Sequence, residues 1–321
     1  MLKTPLCDLL GIDHPIIQAG MGPATSASLA AAVSNAGALG TIASFTRPAQ
    51  DFRRQVDMMR DLTSRPFALN HALTLLDEES FEVSLTARPK LISFALADPG
   101  DYVRRAHDAG ALVMHQVTTV AQARQAAERG ADIIVAQGGE AGGYGGNIAT
   151  LVLVPQVVDA VRPIPVVAAG GIFDGRGLAA ALVLGAVGAN IGTRFLASRE
   201  APVTGGYKHA IAAAASEDAV KFDAFNNIFP TWIAGGYDVV LRALKTPFID
   251  QWRTKQDEAR RERETLQRQL LAANQAGLMH EVLPTAGQSS GGIPDVQSAA
   301  EIVRRLVLDA EEALARAPQP I

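Results

Sequence analysis

The chain has 321 residues, 48% of them hydrophobic and 19% charged, with a formal net charge of −4, which is enough apolar chain for one large core and an appendage. That balance excludes a basic nucleic-acid-binding surface, and the single cysteine, Cys7, excludes an internal disulfide framework or a cysteine-rich zinc site and reads as a small half-buried hydrophobe. With no run of about 18 apolar residues to span a membrane and no signal-peptide pattern at the N-terminus, a cytoplasmic location is expected.

Short apolar runs alternate with helical patterns from residue 15 onward. Residues 15–19 read as a first strand ending at Gly20-Met21-Gly22, with a small-residue helix over 26–35. Residues 39–43 and 66–70 read as the second and third strands, with helices over 49–62 and near 78–85. Residues 90–95 form the fourth, its helix opened by Pro99 and closed by Gly110; residues 111–115 form the fifth, with a helix over 120–129. The sixth, seventh and eighth are the apolar runs of DIIVAQGGEAGGYGG (132–146), VVAAGGI (166–172) and ANIGTR (189–194), each of which stops in glycine. Glycine at these ends allows positive φ and lets a ligand approach the main chain closely. Eight strands with intervening helices predict an α/β fold of the (β/α)8 TIM-barrel type, whose last two junctions cradle phosphate. A doubly wound open sheet would carry its glycine-rich phosphate loop at the first βα turn; here the glycine pairs come late.

The period breaks near Glu200. Residues 202–283 show helical patterns without convincing strands, including one long charged helix over 255–275. A second glycine loop, AGQSSGG over 286–292, precedes a final amphipathic helix over 296–315 and a frayed tail at 318–321. Residues 1–206 and 285–321 are therefore expected to form the barrel with its closing helix. Residues 207–284 are expected to form an inserted C-terminal helical cap that serves as the substrate subdomain, with Phe222, Phe225, Phe229 and Trp232 in the cap's own core.

In such a barrel the site lies at the carboxyl ends of the strands. The residues there are Gly20 and Met21, Asn70 and His71, His115 and Gln116, the segment from Gln137 to Tyr144, Gly170 and Gly171, and Gly192 and Thr193. Amides and glycines dominate. No acid pair is present, no metal-ligand spacing occurs among the six histidines, and GGYGG lacks the Lys-Ser/Thr of a nucleotide P-loop. Such a rim suits a flat heteroaromatic cofactor with a phosphate tail that carries the reaction itself.

The ordered set QAGM, FALN, DIIVAQGGEAGGYGG, PVVAAGGIFDGRGLAAAL, GTRFLASRE and AGQSSGG resembles the FMN-dependent nitronate monooxygenases, formerly 2-nitropropane dioxygenases, and the related flavin enoyl-ACP reductases and NAD(P)H:quinone reductases. The resemblance covers nearly the whole chain. It implies FMN as cofactor, with NAD(P)H as an electron donor in some members, a small-molecule substrate, and O2 or a quinone as electron acceptor. It also implies that Gly20, Met21 and Gly22 line the flavin ring and that Asn70 bonds its polar edge. Gly142 and Gly143 would pack beside it, and Gly170, Gly171, Gly192 and Thr193 would hold the phosphate. Gln116, Gln137 and Gln288 are the further expected contacts. Some relatives place a lysine where this chain has Gln116.

Tyr144 departs from the family motif EAGGH, in which a histidine takes the proton from a nitroalkane carbon. A phenol titrates near ~10 against ~6.5 for imidazole, so Tyr144 is expected to act as a hydrogen-bond donor rather than a base. His71 and His115 are the other candidate catalytic groups, with the satisfaction of buried polar groups as the competing reading. The functions left open are oxidation of alkyl nitronates with O2, NAD(P)H-dependent reduction of a quinone or enone, and non-catalytic binding of a flavin or phosphate ligand.

Overall fold

The computed structural model describes residues 2–316; the tail expected at 318–321 lies outside them. Helix α1 (Pro5–Leu10) leads into β1 (Ile16–Gln18), α2 (Ala27–Asn35), β2 (Gly40–Ala43), α3 (Ala49–Leu62), β3 (Phe67–Ala72), α4 (Glu78–Ala87), β4 (Leu91–Ala95), α5 (Tyr102–Asp108), β5 (Leu112–Val117) and α6 (Val120–Glu128). Then come β6 (Ile133–Gln137), β7 (Gly143–Gly145), α7 (Thr150–Val161), β8 (Val166–Ala169), α8 (Gly175–Val183), β9 (Gly188–Ile191) and α9 (Thr193–Leu196). All of these strands except β7 form one eight-stranded parallel sheet in the order β1-β9-β8-β6-β5-β4-β3-β2. A bridge between Ile17 and Leu39 joins its two ends, with Gln18 N donating to Leu39 O at 2.9 Å. The sheet is thus a TIM barrel.

Side-chain alternation sorts the strands into two faces. Ala68, Leu91, Met114, Ile133, Val135, Val167 and Ala169 point inward, and Leu6, Cys7 and Leu10 of α1 close the interior at the amino-terminal end. Cys7 packs there as a small hydrophobe but is fully buried rather than half-buried. The opposite face packs against the surrounding helices. Gly40 shows how tight that layer is: a Cβ on it would stand 1.9 Å from Ala30 O of α2.

The remaining chain runs through α10 (Gly205–Ala213), β10 (Ala219–Lys221), α11 (Ala224–Ile228), β11 (Val240–Leu244), α12 (Pro247–Trp252), α13 (Gln256–Arg261), α14 (Arg263–Gln275), α15 (Met279–Val282) and α16 (Ala299–Arg316). Helix α16 packs on α8 and α2, and Ser298 with Glu301 forms a reciprocal capping box at its start.

Two expectations for this region need correction. It is not purely helical, because β10, β11 and β7 form an antiparallel three-stranded sheet in which Tyr144 pairs with Leu241. A three-residue strand carries too few alternating positions to register as a period, and β7 is glycine-rich. The long helix expected over 255–275 is broken at Glu262 into α13 and α14, both of which pack on α11; the bend lets two charged segments bury Ala259, Leu266 and Leu270 on the same neighbour. Among the described residues no helix is long and apolar enough to cross a membrane.

Candidate active site

Three strand ends form one continuous backbone-lined corner. Strand β8 runs into Gly170 and Gly171 with φ of 96° and 73°, a left-handed conformation open to glycine and costly for other residues. Its neighbour β9, in register through Ala169 and Asn190, runs into Gly192 and the amino end of α9, which no side chain caps; the N–H groups there are available to an anion. On the other side of β9, Ala19 N donates to Ile191 O at 2.9 Å, so Gly20-Met21-Gly22 lies alongside, with Met21 Sδ 3.5 Å from where a Gly192 Cβ would stand. The Asn70 side chain fills the space that a Gly20 Cβ would need, and its Nδ2 donates to Ser93 Oγ at 3.2 Å.

The β6 end is stitched to this corner. Gly138 N donates to Ala169 O at 2.8 Å, and a Cβ on Gly138 would stand 1.9 Å from Thr150 Oγ1. Thr150 Oγ1 lies 2.8 Å from Glu140 Oε2 and 3.0 Å from Gly170 O. Glu140, the one carboxylate of this loop, accepts from Thr150 N and so occupies the start of α7. The AGQSSGG loop closes over the same place: Gln288 N donates to Glu140 O at 2.9 Å and Gly287 N to Thr193 Oγ1 at 3.0 Å. A Cβ on Gly142 would strike the Ala286–Gly287 backbone at 2.5 Å. Gly143 has φ of 70° with open space beyond it.

The expected rim residues Gly20, Met21, Gly22, Asn70, Gln116, Gln137, Gly142, Gly143, Gly170, Gly171, Gly192, Thr193 and Gln288 therefore lie on the strand ends of one barrel mouth or on the loop closing over it. Gln137 Oε1 and Asn190 Oδ1 are buried there without a hydrogen-bond partner among the described residues. Buried amide oxygens left single are costly, on the order of 1–3 kcal/mol each, and a bound group that donates to them would remove that cost. The left-handed glycines, the uncapped α9 terminus and these two amides fit a planar ring joined to a phosphate.

The two histidines do not join this rim. His71 follows inward-facing Asn70 and His115 precedes inward-facing Gln116, so strand alternation turns both imidazoles outward. His71 is fully buried, its Nδ1 2.8 Å from Ser44 Oγ and its Nε2 2.8 Å from Ser84 Oγ, among Phe52, Phe81 and Phe94. Burial pushes its pKa down to about 3. Both ring nitrogens are engaged away from the mouth, so the expectation that His71 is a catalytic group is corrected to a structural role. His115 Nε2 lies 2.8 Å from Tyr237 Oη, and burial pushes its pKa down to about 4. It ties the 205–284 region to the barrel rather than facing the inward amides.

Tyr144 is nearly buried, its ring 6.1 Å from that of Phe225 in a cluster with Phe222, Leu241, Leu96 and Ala72. Its hydroxyl is buried without a partner among the described residues, and burial raises its pKa, so it stays a neutral phenol. Phe229 and Trp232 continue the cluster, their rings 4.6 Å apart, and Trp232 reaches Phe45 of the barrel at 5.2 Å. Arg176 and Arg194 pair with Asp174 and Asp295, so the corner at the β8 and β9 ends is lined by backbone groups.

Two cations escaped the sequence reading. Lys221 of β10 donates to Gly145 O at 2.7 Å, Gly146 O at 3.0 Å and Val240 O at 3.1 Å. Arg242 of β11 donates to Gly139 O at 3.1 and 2.8 Å. The signal for them was the short alternations AVKF and VVLRAL, too brief to read as strands among helical patterns.

The family model for nitronate monooxygenase matches residues 3–309. The chain belongs to the nitronate monooxygenase family. Its relatives are oxidoreductases, and it is one too. It is 35% identical to the (3aS,4S,5R,7aS)-5-hydroxy-7a-methyl-1-oxo-octahydro-1H-indene-4-carboxyl-CoA dehydrogenase of Mycobacterium tuberculosis, over 96% of each chain. It is 33% identical to a probable nitronate monooxygenase of Staphylococcus aureus, over 70% of this chain and 76% of the relative. Among solved structures, FabK from Thermotoga maritima superposes with a TM-score of 0.89 at 33% identity over 98% of both chains. Nitroalkane oxidase from Streptomyces ansochromogenes gives 0.83 at 28% identity, over 98% of this chain and 99% of that one. This member of the nitronate monooxygenase family thus resembles enzymes of different substrate chemistry.

Proposed function

We propose that this protein is an FMN-dependent oxidoreductase that exchanges hydride with a carbonyl-activated substrate, such as a quinone, an enone or a CoA thioester, with NAD(P)H as the partner electron donor. The observation that carries the reading is the neutral, apolar-buried phenol of Tyr144. It provides no base for a neutral nitroalkane, but its hydroxyl can donate a proton to a carbon or oxygen that becomes basic as hydride arrives. FMN, when bound, supplies the two-electron chemistry. The residues of this chain do the rest. The N–H groups at Gly170, Gly171 and the start of α9 hold one phosphate, and the sequence carries no G-x-G-x-x-G fingerprint of the kind that holds a pyrophosphate and adenosine. Asn70, Gln116 and Gln137 bond the polar edge of the ring. The Tyr144–Phe225–Trp232–Phe45 cluster covers it and excludes water. The CoA thioester is suggested by the relative in Mycobacterium tuberculosis, which matches this chain over 96% of its length.

A second reading is oxidation of preformed alkyl nitronates with O2. The family match favours it, and a substrate that is already an anion needs no base. Anaerobic reduction of the purified yellow protein separates the two. Fast bleaching by NADH or NADPH, with reoxidation by an enone or enoyl thioester, supports the first. Bleaching by an alkyl nitronate but by neither nicotinamide overturns it in favour of the second. Cofactor that chromatographs as FAD after heat release removes the FMN assignment.

A further inference from the structure

Lys221 is a half-buried ammonium that forms no ion pair among the described residues; its three donors go to the main-chain carbonyls Gly145 O, Gly146 O and Val240 O. Its place is the barrel mouth. A Cβ on Gly145 would stand 3.3 Å from Gln137 Oε1 and 3.7 Å from Lys221 Nζ, and one on Gly146 would stand 2.7 Å from Thr118 Cβ. The ammonium therefore sits over the ends of β5 and β6, beside the buried amide whose oxygen has no partner. Arg242 stands behind the same loop and is likewise satisfied only by carbonyls, Gly139 O and Ala219 O. The acids that face the two are weak counterweights: Asp223, felt by Lys221, is solvent-exposed, and Glu140, felt by Arg242, is committed to the start of α7.

We propose that Lys221 is an electrostatic positioning residue, an ammonium brought by β10 to the back of the Gly142–Gly146 loop so that its uncompensated charge favours negative charge on the ring bound at the mouth. This rests on the FMN reading above. A clasp of carbonyls alone would not require a charge, since a neutral amide also donates. Burial, with Arg242 nearby, pushes the Lys221 pKa down to about 8, so the charge is present at neutral pH and is lost as pH rises through that value.

Sulfite tests this, because it adds reversibly to oxidised flavin and leaves the ring negative. Lys221→Gln keeps N–H donors and removes the charge; Lys221→Arg keeps both. With FMN-loaded proteins at pH 7, sulfite affinity should fall about tenfold or more in Lys221→Gln and stay within about threefold of wild type in Lys221→Arg. Wild-type affinity should also fall above pH 8 relative to Lys221→Arg, which experiences the same sulfite speciation and so supplies the baseline. Equal sulfite affinity in Lys221→Gln and wild type overturns the proposal. If Lys221→Gln does not hold FMN, the comparison of wild type with Lys221→Arg decides, and parallel pH profiles overturn it. A wild-type protein that takes up no FMN refutes the cofactor reading and this inference together, whereas FMN uptake with unaltered sulfite binding refutes this inference alone.

Discussion

The two sides of the barrel mouth are built by different means. At the β8, β9 and β1 ends the surface is backbone, shaped by Gly170, Gly171, Gly192 and Gly20. Over β3 to β6 it is side chain, made by Asn70, Gln137 and Tyr144 under a sheet and helices contributed by residues more than 70 positions later in the chain. A backbone surface tolerates almost no change in side-chain size and recognises a constant group. A side-chain surface is retuned one residue at a time. Relatives with such different substrates are understandable if the first side holds what they share and the second holds what they do not.

The sharpest way to break this comparison is to put a side chain on the backbone side. Gly171 has φ of 73° and lies 3.6 Å, by its missing Cβ, from Glu140. In Gly171→Leu the left-handed backbone alone costs about 1–2 kcal/mol, and the side chain projects toward the phosphate corner and the Glu140–Thr150 cap. The protein is expected to fold and purify colourless, read by its visible absorbance and by FMN titration. A yellow Gly171→Leu with native FMN affinity would place the phosphate elsewhere.

A second effect reaches both sides through the core. His71 and His115 are held neutral by burial, with pKa values near 3 and 4 against 6.5 in the unfolded chain. Because each folded-state value is lowered, the unfolded chain binds more protons wherever the pH lies between the two values. Stability is therefore full above about pH 6.5 and is lost as pH falls toward 4, by on the order of 3 kcal/mol for each histidine. Urea denaturation at pH 7 and pH 5 measures this. His71→Asn should flatten the acid limb while lowering stability at pH 7, since an amide cannot span both Ser44 and Ser84.

How far the chain could be read in advance follows the same division. The backbone side was legible, because a glycine after an apolar run is a local signal with a local cause. The outward turn of His71 and His115 was legible in principle, since adjacent strand residues cannot both face inward; Asn70 and Gln116 had claimed that face. Placing both members of each pair at the mouth used strand-end position and ignored parity. Lys221, Arg242 and the pairing of Tyr144 with Leu241 were not legible, because their meaning arises only when β7, β10 and β11 meet. No local period announces β7, a three-residue strand whose partner β11 lies 95 to 99 residues away, from Gly145↔Val240 to Gly143↔Arg242.

On the side-chain surface, Tyr144→His should raise turnover of neutral nitroalkanes by about tenfold or more, below the ~10²–10⁴-fold of a base in its native setting because the pocket is not shaped around an imidazole. Steady-state rates on a neutral nitroalkane and on its nitronate give the readout. If the wild type already oxidises both at equal rates, a base other than Tyr144 is at work and the division between the two sides is drawn in the wrong place.

The smallest expected effect is on stability, in Tyr144→Phe. The Tyr144 hydroxyl is buried without a partner among the described residues, and a hydroxyl desolvated in that way costs about 1–3 kcal/mol with nothing to offset it. Its removal leaves the ring free to keep its contacts with Phe225 and Leu241. The variant should therefore be as stable as the wild type or slightly more so, by up to about 1 kcal/mol, in urea denaturation of the FMN-free protein. A residue retained only for packing would lose its hydroxyl without functional cost. A residue retained as a proton donor would pass the stability test and fail the kinetic one, with slower enone or thioester reduction at unchanged FMN affinity. The two measurements on one variant therefore separate packing from chemistry. Loss of stability in Tyr144→Phe would show that the hydroxyl has a bonding partner after all, and the donor role would then pass to whichever group that partner is.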